Sequence, residues 1–344
     1  MTSAARNLRL TPSYDEPSLG DELPDPDELS HTQHLHALDR MREDKREYAR
    51  FTRLESVHEM TGPLAPEEVV IVAADTEDGK SLFCQNFFDD LTSEQKKSTL
   101  YIGTEQTPAV LKIKQACIRA GVRAKLILKP TDAELLTDEY AHGMQAVEAE
   151  LEYINGPEMR GLAFYATTEY VNRRELEKWI TGGVERYGIE VVIIDHIDQM
   201  QHGKGTSPIS ELTATVQMIG HLAKKHHIPI IVASQISRSK DPIKRHSPPD
   251  KHDLAGAAGK EREMAIGFGL WRPLRTDLPA KELRQLRKDA QQGTVAASRI
   301  YQPNTMGVRL LKDRLGDVPG KQVFLHVGKG GRLSDDMAST HGIR

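Results

Sequence analysis

A short stretch after residue 73 has the residue types and spacing of a phosphate-binding loop. It reads Ala74-Asp75-Thr76-Glu77-Asp78-Gly79-Lys80-Ser81, with Ala74 where the first glycine of such loops usually stands. An apolar run precedes it, and the spacing of Phe83 and Phe87 after it predicts a helix. In this setting the backbone N–H groups surround a phosphate at the helix N-terminus. The Lys80 ammonium would reach the β- and γ-phosphates and the Ser81 hydroxyl would hold Mg²⁺, so the stretch predicts nucleotide binding.

Three more polar residues follow apolar runs at places where catalytic groups are needed. Asp195 ends the run Val191-Val192-Ile193-Ile194, and a carboxylate at the end of a strand can orient Mg²⁺. Glu105 comes just after residues 99–103, where it would activate water as a general base or, alternatively, be a solvated glutamate at a helix start. Gln235 ends another apolar run, where its amide would bind the γ-phosphate or a water molecule.

The elements that would position these residues follow from the alternation of apolar runs and helical stretches. Near-continuous apolar runs separated by helices predict a mostly parallel sheet that is covered on both faces. These runs are residues 69–73, 99–103, 124–128, 161–165, 190–194 and 228–232. The later runs lack long helices between them, apart from residues 279–292, and predict a C-terminal antiparallel portion. They are residues 264–270, 307–311 and 322–327.

The composition is that of one large α/β core with additional segments. The chain has 344 residues, of which 38% are hydrophobic and 28% charged, and its formal net charge is −4. This near-neutral charge excludes the overall basic field of a small nucleic-acid module, so any DNA contact must be local. Two cysteines in so long a chain indicate a reducing compartment rather than a disulfide scaffold. With no apolar run of membrane-spanning length and no signal-peptide pattern, the sequence predicts a cytoplasmic protein without membrane contact.

Four segments are predicted along the chain. Residues 1–33 are rich in Pro, Asp, Glu and Ser and are predicted to be disordered. Residues 34–61 are predicted to hold a linker helix and the lead-in to the core, residues 62–333 the nucleotide-binding core, and residues 334–344 a flexible tail. The linker helix has an apolar stripe that needs a partner. Its members are Leu35, Leu38, Met41, Tyr48 and Phe51.

Taken in order, the motifs resemble those of one known family. Over residues 62–333 the chain resembles the RecA-like ATPase core of DnaB-type (superfamily 4) replicative helicases, whose phosphate loop also typically begins with Ala. The segment Asp195-His196-Ile197-Asp198-Gln199-Met200 is similar to the family's Asp-Tyr-Leu-Gln-Leu-Met. The other similar blocks are Gly62-Pro63-Leu64-Ala65-Pro66, Tyr101-Ile102-Gly103-Thr104-Glu105, Val232-Ala233-Ser234-Gln235-Ile236-Ser237-Arg238 and Lys312-Asp313-Arg314-Leu315-Gly316.

The resemblance carries expectations about fold, cofactors and partners. It implies a RecA-like P-loop NTPase core that uses ATP and Mg²⁺. It also implies a homo-oligomer, expected to be a hexamer, that acts on single-stranded DNA, with a primase or a helicase loader as candidate partners. Lys312 and Arg314 resemble the family's hairpin that reaches the neighbouring subunit's γ-phosphate. The family's linker helix docks on the adjacent subunit, whereas the stripe in this chain could instead fold back onto its own core.

Two segments depart from the family's pattern. Residues 253–261 lie where the family has its central-channel DNA loop, but Ala257-Ala258 replaces the usual Ser-Gly pair. The segment therefore predicts either DNA contact, through Lys260 or nearby backbone amides, or an ordinary flexible loop. Residues 274–302 form an insertion with a basic stripe, which is either a solvated helix face or a nucleic-acid patch. The stripe consists of Lys281, Arg284, Arg287 and Lys288.

The residues and the resemblance together predict an ATP-driven, ring-forming motor on single-stranded DNA, a DnaB-like DNA helicase in replication. The residues expected to be catalytic are Lys80, Glu105, Gln235, Lys312 and Arg314. Ser81 and Asp195 are expected to hold the metal, and residues 74–81 the phosphates. The alternative is an ATP-switched, DNA- or partner-binding regulatory or recombination ATPase without unwinding activity.

Overall fold

A computed structural model describes most of the core. The described residues are 48–167, 172–199, 208–236, 248–254, 257–275, 278–292, 300–314 and 319–335. They belong to one compact unit of the chain, which begins at Glu47. The predictions for residues 1–33, for most of the linker helix and for the tail beyond Asp335 lie outside the described residues.

A single sheet forms the centre of the described part of the chain. Its strands are β1 Val69–Ala74, β2 Thr99–Gly103, β3 Ala163–Thr167, β4 Val191–Asp195, β5 Ile230–Gln235, β6 Ile266–Trp271, β7 Thr305–Asp313, β8 Gln322–Val327 and β9 Leu333–Asp335. Their spatial order is β3-β2-β4-β5-β1-β6-β7-β8-β9. The strands from β1 to β6 pair in parallel, and β7, β8 and β9 add an antiparallel portion beyond β6. The predicted fold class is confirmed.

Helices precede or follow most of the parallel strands. In the described ranges they are α1 Glu55–Thr61, α2 Lys80–Asp89, α3 Pro108–Ala120, α4 Ala124–Leu128, α5 Asp132–Leu135, α6 Asp138–Asn155, α7 Arg173–Tyr187, α8 Pro208–His226, α9 Ala257–Glu263 and α10 Ala280–Gln291. None of these described helices has the length and apolar character needed to cross a membrane.

The apolar run at residues 124–128, which predicts a strand, is the short helix α4. Leu126 is buried, and Ile127 packs against a small core cluster that includes Cys117 of α3 and Val147 of α6. So short an apolar run has no periodicity that separates a buried strand from one buried turn of helix. The sequence-based prediction is therefore wrong at this point.

Two apolar cores lie on opposite faces of the sheet because side chains alternate along β1. Val70 packs on one face in a cluster with Phe83 of α2. Ile71 packs on the other face in a cluster with Ile180 of α7 and Ile219 of α8. Burial on both faces explains why every residue of β1 is apolar and buried. The carboxyl end of β1 is thereby fixed in position, and the phosphate loop starts there.

The segment before α1 is irregular, whereas the apolar stripe predicts a helix through Phe51. Phe51 is 2% exposed, and its ring stacks on that of Phe87 with the centroids 4.1 Å apart. A β-bridge joins Ala49 to Leu64. Phe51 therefore packs on its own core, as the second interpretation of the stripe expects. The stripe residues before Tyr48 lie outside the described residues.

Candidate active site

The phosphate loop joins the carboxyl end of β1 to the first turn of α2. Gly79, the last residue before α2, has φ 99° and ψ 22°, in the left-handed region. A Cβ atom at this position would lie 2.4 Å from Cε of Met306. Both the backbone conformation and the close approach require glycine. The chain consequently enters α2 with the geometry that phosphate binding at a helix N-terminus uses.

The Lys80 side chain folds over the loop that precedes it. Its Nζ atom donates hydrogen bonds to the carbonyl oxygens of Ala74 and Asp75, at 2.9 and 3.0 Å. Burial lowers the pKa of Lys80, and the carboxylates of Asp198 and Asp195 oppose that shift. The ammonium group is thus held against the loop by neutral carbonyls that phosphate oxygens could replace.

The predicted metal ligands lie together beneath the loop. The Ser81 hydroxyl donates to Oδ1 of Asp195 at 3.1 Å, and the Tyr101 hydroxyl donates to Oδ2 at 2.6 Å. Burial, reinforced by the Asp195 charge, raises the pKa of Tyr101 well above its usual value, so the phenol remains a donor. A hydroxyl and a carboxylate oxygen at this separation are the hard ligands that Mg²⁺ accepts beside phosphates. The residues present therefore fit the ion.

A cavity of about 690 Å³ opens beside the loop, a volume within the usual range for small-molecule sites. It brings together most of the residues predicted from the sequence. Those that line it are Asp75, Thr76, Glu77, Gly79, Lys80, Ser81, Glu105 and Gln235. Ala74, Asp78 and Asp195 adjoin these residues in the chain or by direct contact.

Glu105 reaches the cavity from the segment that follows β2. Its side chain is about half exposed, at 49%, and its Oε1 atom lies 4.0 Å from Nδ1 of His196. His196 is held in turn, because its backbone N–H donates to the Thr104 hydroxyl at 3.1 Å. This position suits a carboxylate that takes a proton from water inside the cavity.

Gln235 lies next to the phosphate loop because β5 pairs with β1. Their register places Gln235 beside Ala74. The side-chain amide of Gln235 donates to the Thr76 hydroxyl at 3.1 Å. The predicted phosphate sensor is therefore already in contact with the loop.

Two cations of the cavity wall were not predicted from the sequence. Lys114 comes from α3 and Arg272 directly follows β6. Burial lowers the pKa of each. The Nη1 atom of Arg272 donates to the carbonyl oxygen of Thr305 at 3.2 Å. Arg272 could have been found from its place after a parallel strand, where ligands of such sheets bind. The sequence holds no comparable signal for Lys114.

The comparison with protein families decides the assignment. A model of the DnaB-like helicase C-terminal domain matches residues 50–304, which is most of the chain. The chain belongs to the DnaB-like helicase family. The resemblance stated from the motifs is confirmed, and the alternative of a regulatory ATPase is not favoured by this family.

Two solved structures have the same fold as this DnaB-like chain. One is a DnaB-like replicative helicase described with its interactions with primase; it matches with a TM-score of 0.65 and 15% identity over 91% of this chain and 67% of that one. The other is a separately solved ATPase domain, with a TM-score of 0.66 and 15% identity over 89% of this chain and 98% of that one. No match was found among the curated proteins.

In this DnaB-like chain, Lys312 and Arg314 lie away from the cavity. Lys312 lies at the far end of β7, where Asp313 pairs with Ile266 at the start of β6, and Arg314 directly follows β7. Lys312 donates to the carbonyl oxygen of Glu261, and Nη2 of Arg314 donates to that of Arg262 at 3.2 Å. The structure does not bring these two predicted residues together with the others.

The segment that resembles the channel loop is largely helical where it is described. A 3₁₀ turn spans Lys251–Asp253, and α9 begins at Ala257. Lys260 is 1% exposed, and its Nζ atom pairs with Oδ1 of Asp198 at 2.9 Å. The expectation that the Lys260 side chain contacts DNA is therefore wrong for this arrangement, because its ammonium group is buried and paired with Asp198. DNA contact through the backbone amides of the segment stays a prediction.

The basic stripe of the insertion lies on a helix, as its spacing predicts. It belongs to α10. Lys281, Arg284 and Lys288 are exposed, and Arg287 is partly buried. Both interpretations of the stripe, a solvated face and a nucleic-acid patch, fit this placement.

Proposed function

We propose that this chain is a Mg²⁺-dependent ATP hydrolase that forms rings on single-stranded DNA and couples hydrolysis to unwinding of DNA in replication. The observation that carries the proposal is the cavity in which Lys80, Ser81, Glu105 and Gln235 meet, in a member of a helicase family. This combination supplies phosphate binding, metal binding, a base and a sensor in one place.

The phosphate loop and Lys80 would hold the triphosphate. Lys80 would exchange the carbonyl oxygens of Ala74 and Asp75 for phosphate oxygens without leaving its position. Ser81 and Asp195 would hold Mg²⁺, which neutralises charge on the phosphates when bound. Arg272 adds a positive charge to the same wall of the cavity.

Glu105 would accept the proton of the attacking water. Its carboxylate lines the cavity and is open to solvent, so a water molecule can lie between it and a phosphate. Gln235 would exchange its hydrogen bond with Thr76 for one to the γ-phosphate, and so distinguish nucleotide states.

Arg314 and Lys312 would act on the nucleotide of a second copy of the chain. Arg314 is exposed at the end of the strands that is opposite to its own chain's cavity. A cation presented there can stabilise charge on a phosphate only across a subunit boundary. The proposal therefore includes a homo-oligomer, expected to be a hexamer, in which ATP lies between subunits.

A primase or a helicase loader is the kind of protein partner that this proposal includes. The primase is supported by the similar fold of a DnaB-like helicase that was described with its interactions with primase.

Strand separation on a forked duplex tests the proposal against an ATP-switched binding protein. With ATP, the wild-type chain is expected to release the displaced strand, and the Lys80→Ala variant is expected to release none. DNA binding that depends on ATP but leaves the fork intact would overturn the helicase proposal.

A further inference from the structure

A continuous series of polar contacts leads from the phosphate loop to the buried lysine of α9. The Gln235 amide donates to the Thr76 hydroxyl at 3.1 Å, and the Gln235 backbone N–H donates to Oδ2 of Asp198 at 2.5 Å. The Oδ1 atom of Asp198 accepts from Nζ of Lys260 at 2.9 Å, and the same ammonium group donates to the Ser234 hydroxyl. The loop, β5, the turn after β4 and α9 are thereby connected.

The ion pair within this series is buried. The Lys260 side chain is 1% exposed and that of Asp198 17%. A buried pair of this kind adds little net stability over apolar residues of the same volume, so stability alone does not account for it. Its geometric effect is to fix α9 relative to the end of β5.

The helix α9 is closely packed as well. A Cβ atom on Gly259 would lie 2.7 Å from Cγ2 of Thr213, and one on Gly220 would lie 2.8 Å from Oε2 of Glu263. Such close packing against α8 leaves little room to absorb a displacement within α9 itself. A displacement of Lys260 therefore moves α9 as one body.

Asp198 distinguishes this chain from the family's Asp-Tyr-Leu-Gln-Leu-Met motif. That motif has a neutral Gln where this chain has Asp198. A neutral side chain needs no buried cation, whereas Asp198 has Lys260 as its ionic partner. In this chain an ion pair between Asp198 and Lys260 therefore connects Gln235 with α9.

We propose that Lys260 is a positioning residue that couples α9, through Asp198, to phosphate sensing by Gln235. The inference rests on the proposed function in that Gln235 contacts the γ-phosphate. When Gln235 exchanges Thr76 for a phosphate oxygen, its backbone N–H shifts Asp198, and Asp198 shifts Lys260 and α9. Because such coupling is reciprocal, DNA held by the segment around α9 changes the state of the nucleotide site.

The test compares DNA stimulation of ATP hydrolysis among variants of the full chain. Lys260→Met alone leaves the Asp198 charge buried and is expected to destabilise the fold, so the decisive variant is Asp198→Asn combined with Lys260→Met. The Asn oxygen still accepts from the Gln235 backbone, but the ionic link to α9 is gone. Lys260→Arg keeps the cation. Lys224→Met, on the exposed face of α8, is the matched control.

We expect the double variant to melt near the wild-type temperature and to bind a fluorescent ATP analogue with a Kd within about threefold of wild type. Its ratio of hydrolysis with oligo-dT to hydrolysis without it is expected to fall at least about fivefold, the lower end of typical coupling. The Lys260→Arg and Lys224→Met variants are expected to keep the ratio. A folded double variant with the full wild-type ratio would overturn the inference.

Two further outcomes separate this inference from its rivals. If Lys260 contacted DNA phosphates directly, its loss would reduce the slope of DNA affinity against salt concentration by about one, which would also overturn the inference. A wild-type rate of ATP hydrolysis that does not change when DNA is added would also overturn the inference, because no coupling would exist. Wild-type hydrolysis that responds to DNA without unwinding would overturn only the proposed function.

Discussion

Arg314 and Lys80 lie at opposite ends of the strands of the same sheet. Lys80 starts α2 at the carboxyl end of β1, and Arg314 follows the end of β7 that pairs with the start of β6. At about 3.4 Å per residue, β7 alone spans roughly 27 Å from one end of the strands to the other. One chain therefore cannot bring both residues to one phosphate, and a site that uses both must be shared by two copies.

Removal of the Lys80 ammonium is expected to abolish ATP hydrolysis. The Lys80→Ala variant loses the ammonium group that is proposed to bind the γ-phosphate, which should cost several kcal/mol of transition-state stabilisation. Steady-state phosphate release measures the loss, and circular dichroism checks that the fold is retained. Turnover within about threefold of wild type would remove Lys80 from the mechanism.

Glu105→Gln is expected to lower turnover by about 10²-fold while ATP binding is retained, because an amide cannot take a proton from water. Single-turnover hydrolysis and nucleotide titration measure the two effects separately. Glu177→Gln makes the same change of charge on the exposed face of α7, outside the cavity lining, and should leave turnover close to wild type. A parallel loss of binding and turnover in Glu105→Gln would give Glu105 a structural role instead.

Tyr101→Phe is expected to raise the Mg²⁺ concentration needed for half-maximal hydrolysis about tenfold, since Asp195 loses the donor that orients it. Titration of Mg²⁺ at fixed ATP measures this shift. Tyr165→Phe is the control, because that phenol donates to Gln115 rather than to Asp195. An unchanged Mg²⁺ requirement in Tyr101→Phe would exclude Asp195 from the metal site or show that Tyr101 does not position it.

Deletion of residues 1–46 is expected to leave a folded monomer that binds ATP weakly and no longer responds to DNA. The deletion stops there because Phe51 packs on Phe87 and belongs to the core. The linker helix predicted in the deleted part is expected to dock on an adjacent subunit. Light scattering decides the point: a truncated chain that still assembles to full-length size with ATP would show that this segment does not hold the ring together.

The sheet and much of the cavity could be predicted because the decisive residues end apolar strands. Glu105, Asp195 and Gln235 each follow a buried run, and parallel strands deliver their carboxyl ends to one edge. The burial of Lys260 could not be predicted, since its partner Asp198 is distant in sequence and only the packing of α9 on α8 brings them together. The position of Lys114 at the cavity could not be predicted either, because the packing of α3 decides which of its faces meets the cavity.

Mixing two inactive variants tests most directly whether ATP is hydrolysed between copies of the chain. A ring of Arg314→Ala subunits has complete cavities but lacks the Arg314 cation that each neighbouring subunit is proposed to supply. A ring of Lys80→Ala subunits keeps Arg314 but lacks the Lys80 ammonium in every cavity. In a random equal mixture, about a quarter of the interfaces of a closed ring combine two wild-type groups.

Each variant alone is expected to be inactive, and the mixture is expected to recover ATP hydrolysis in that proportion. Energy transfer between differently labelled variants establishes that the subunits have exchanged. Recovered hydrolysis would confirm a site completed by a second copy. No recovery after demonstrated exchange would contradict the account, because the site would then be complete within one chain.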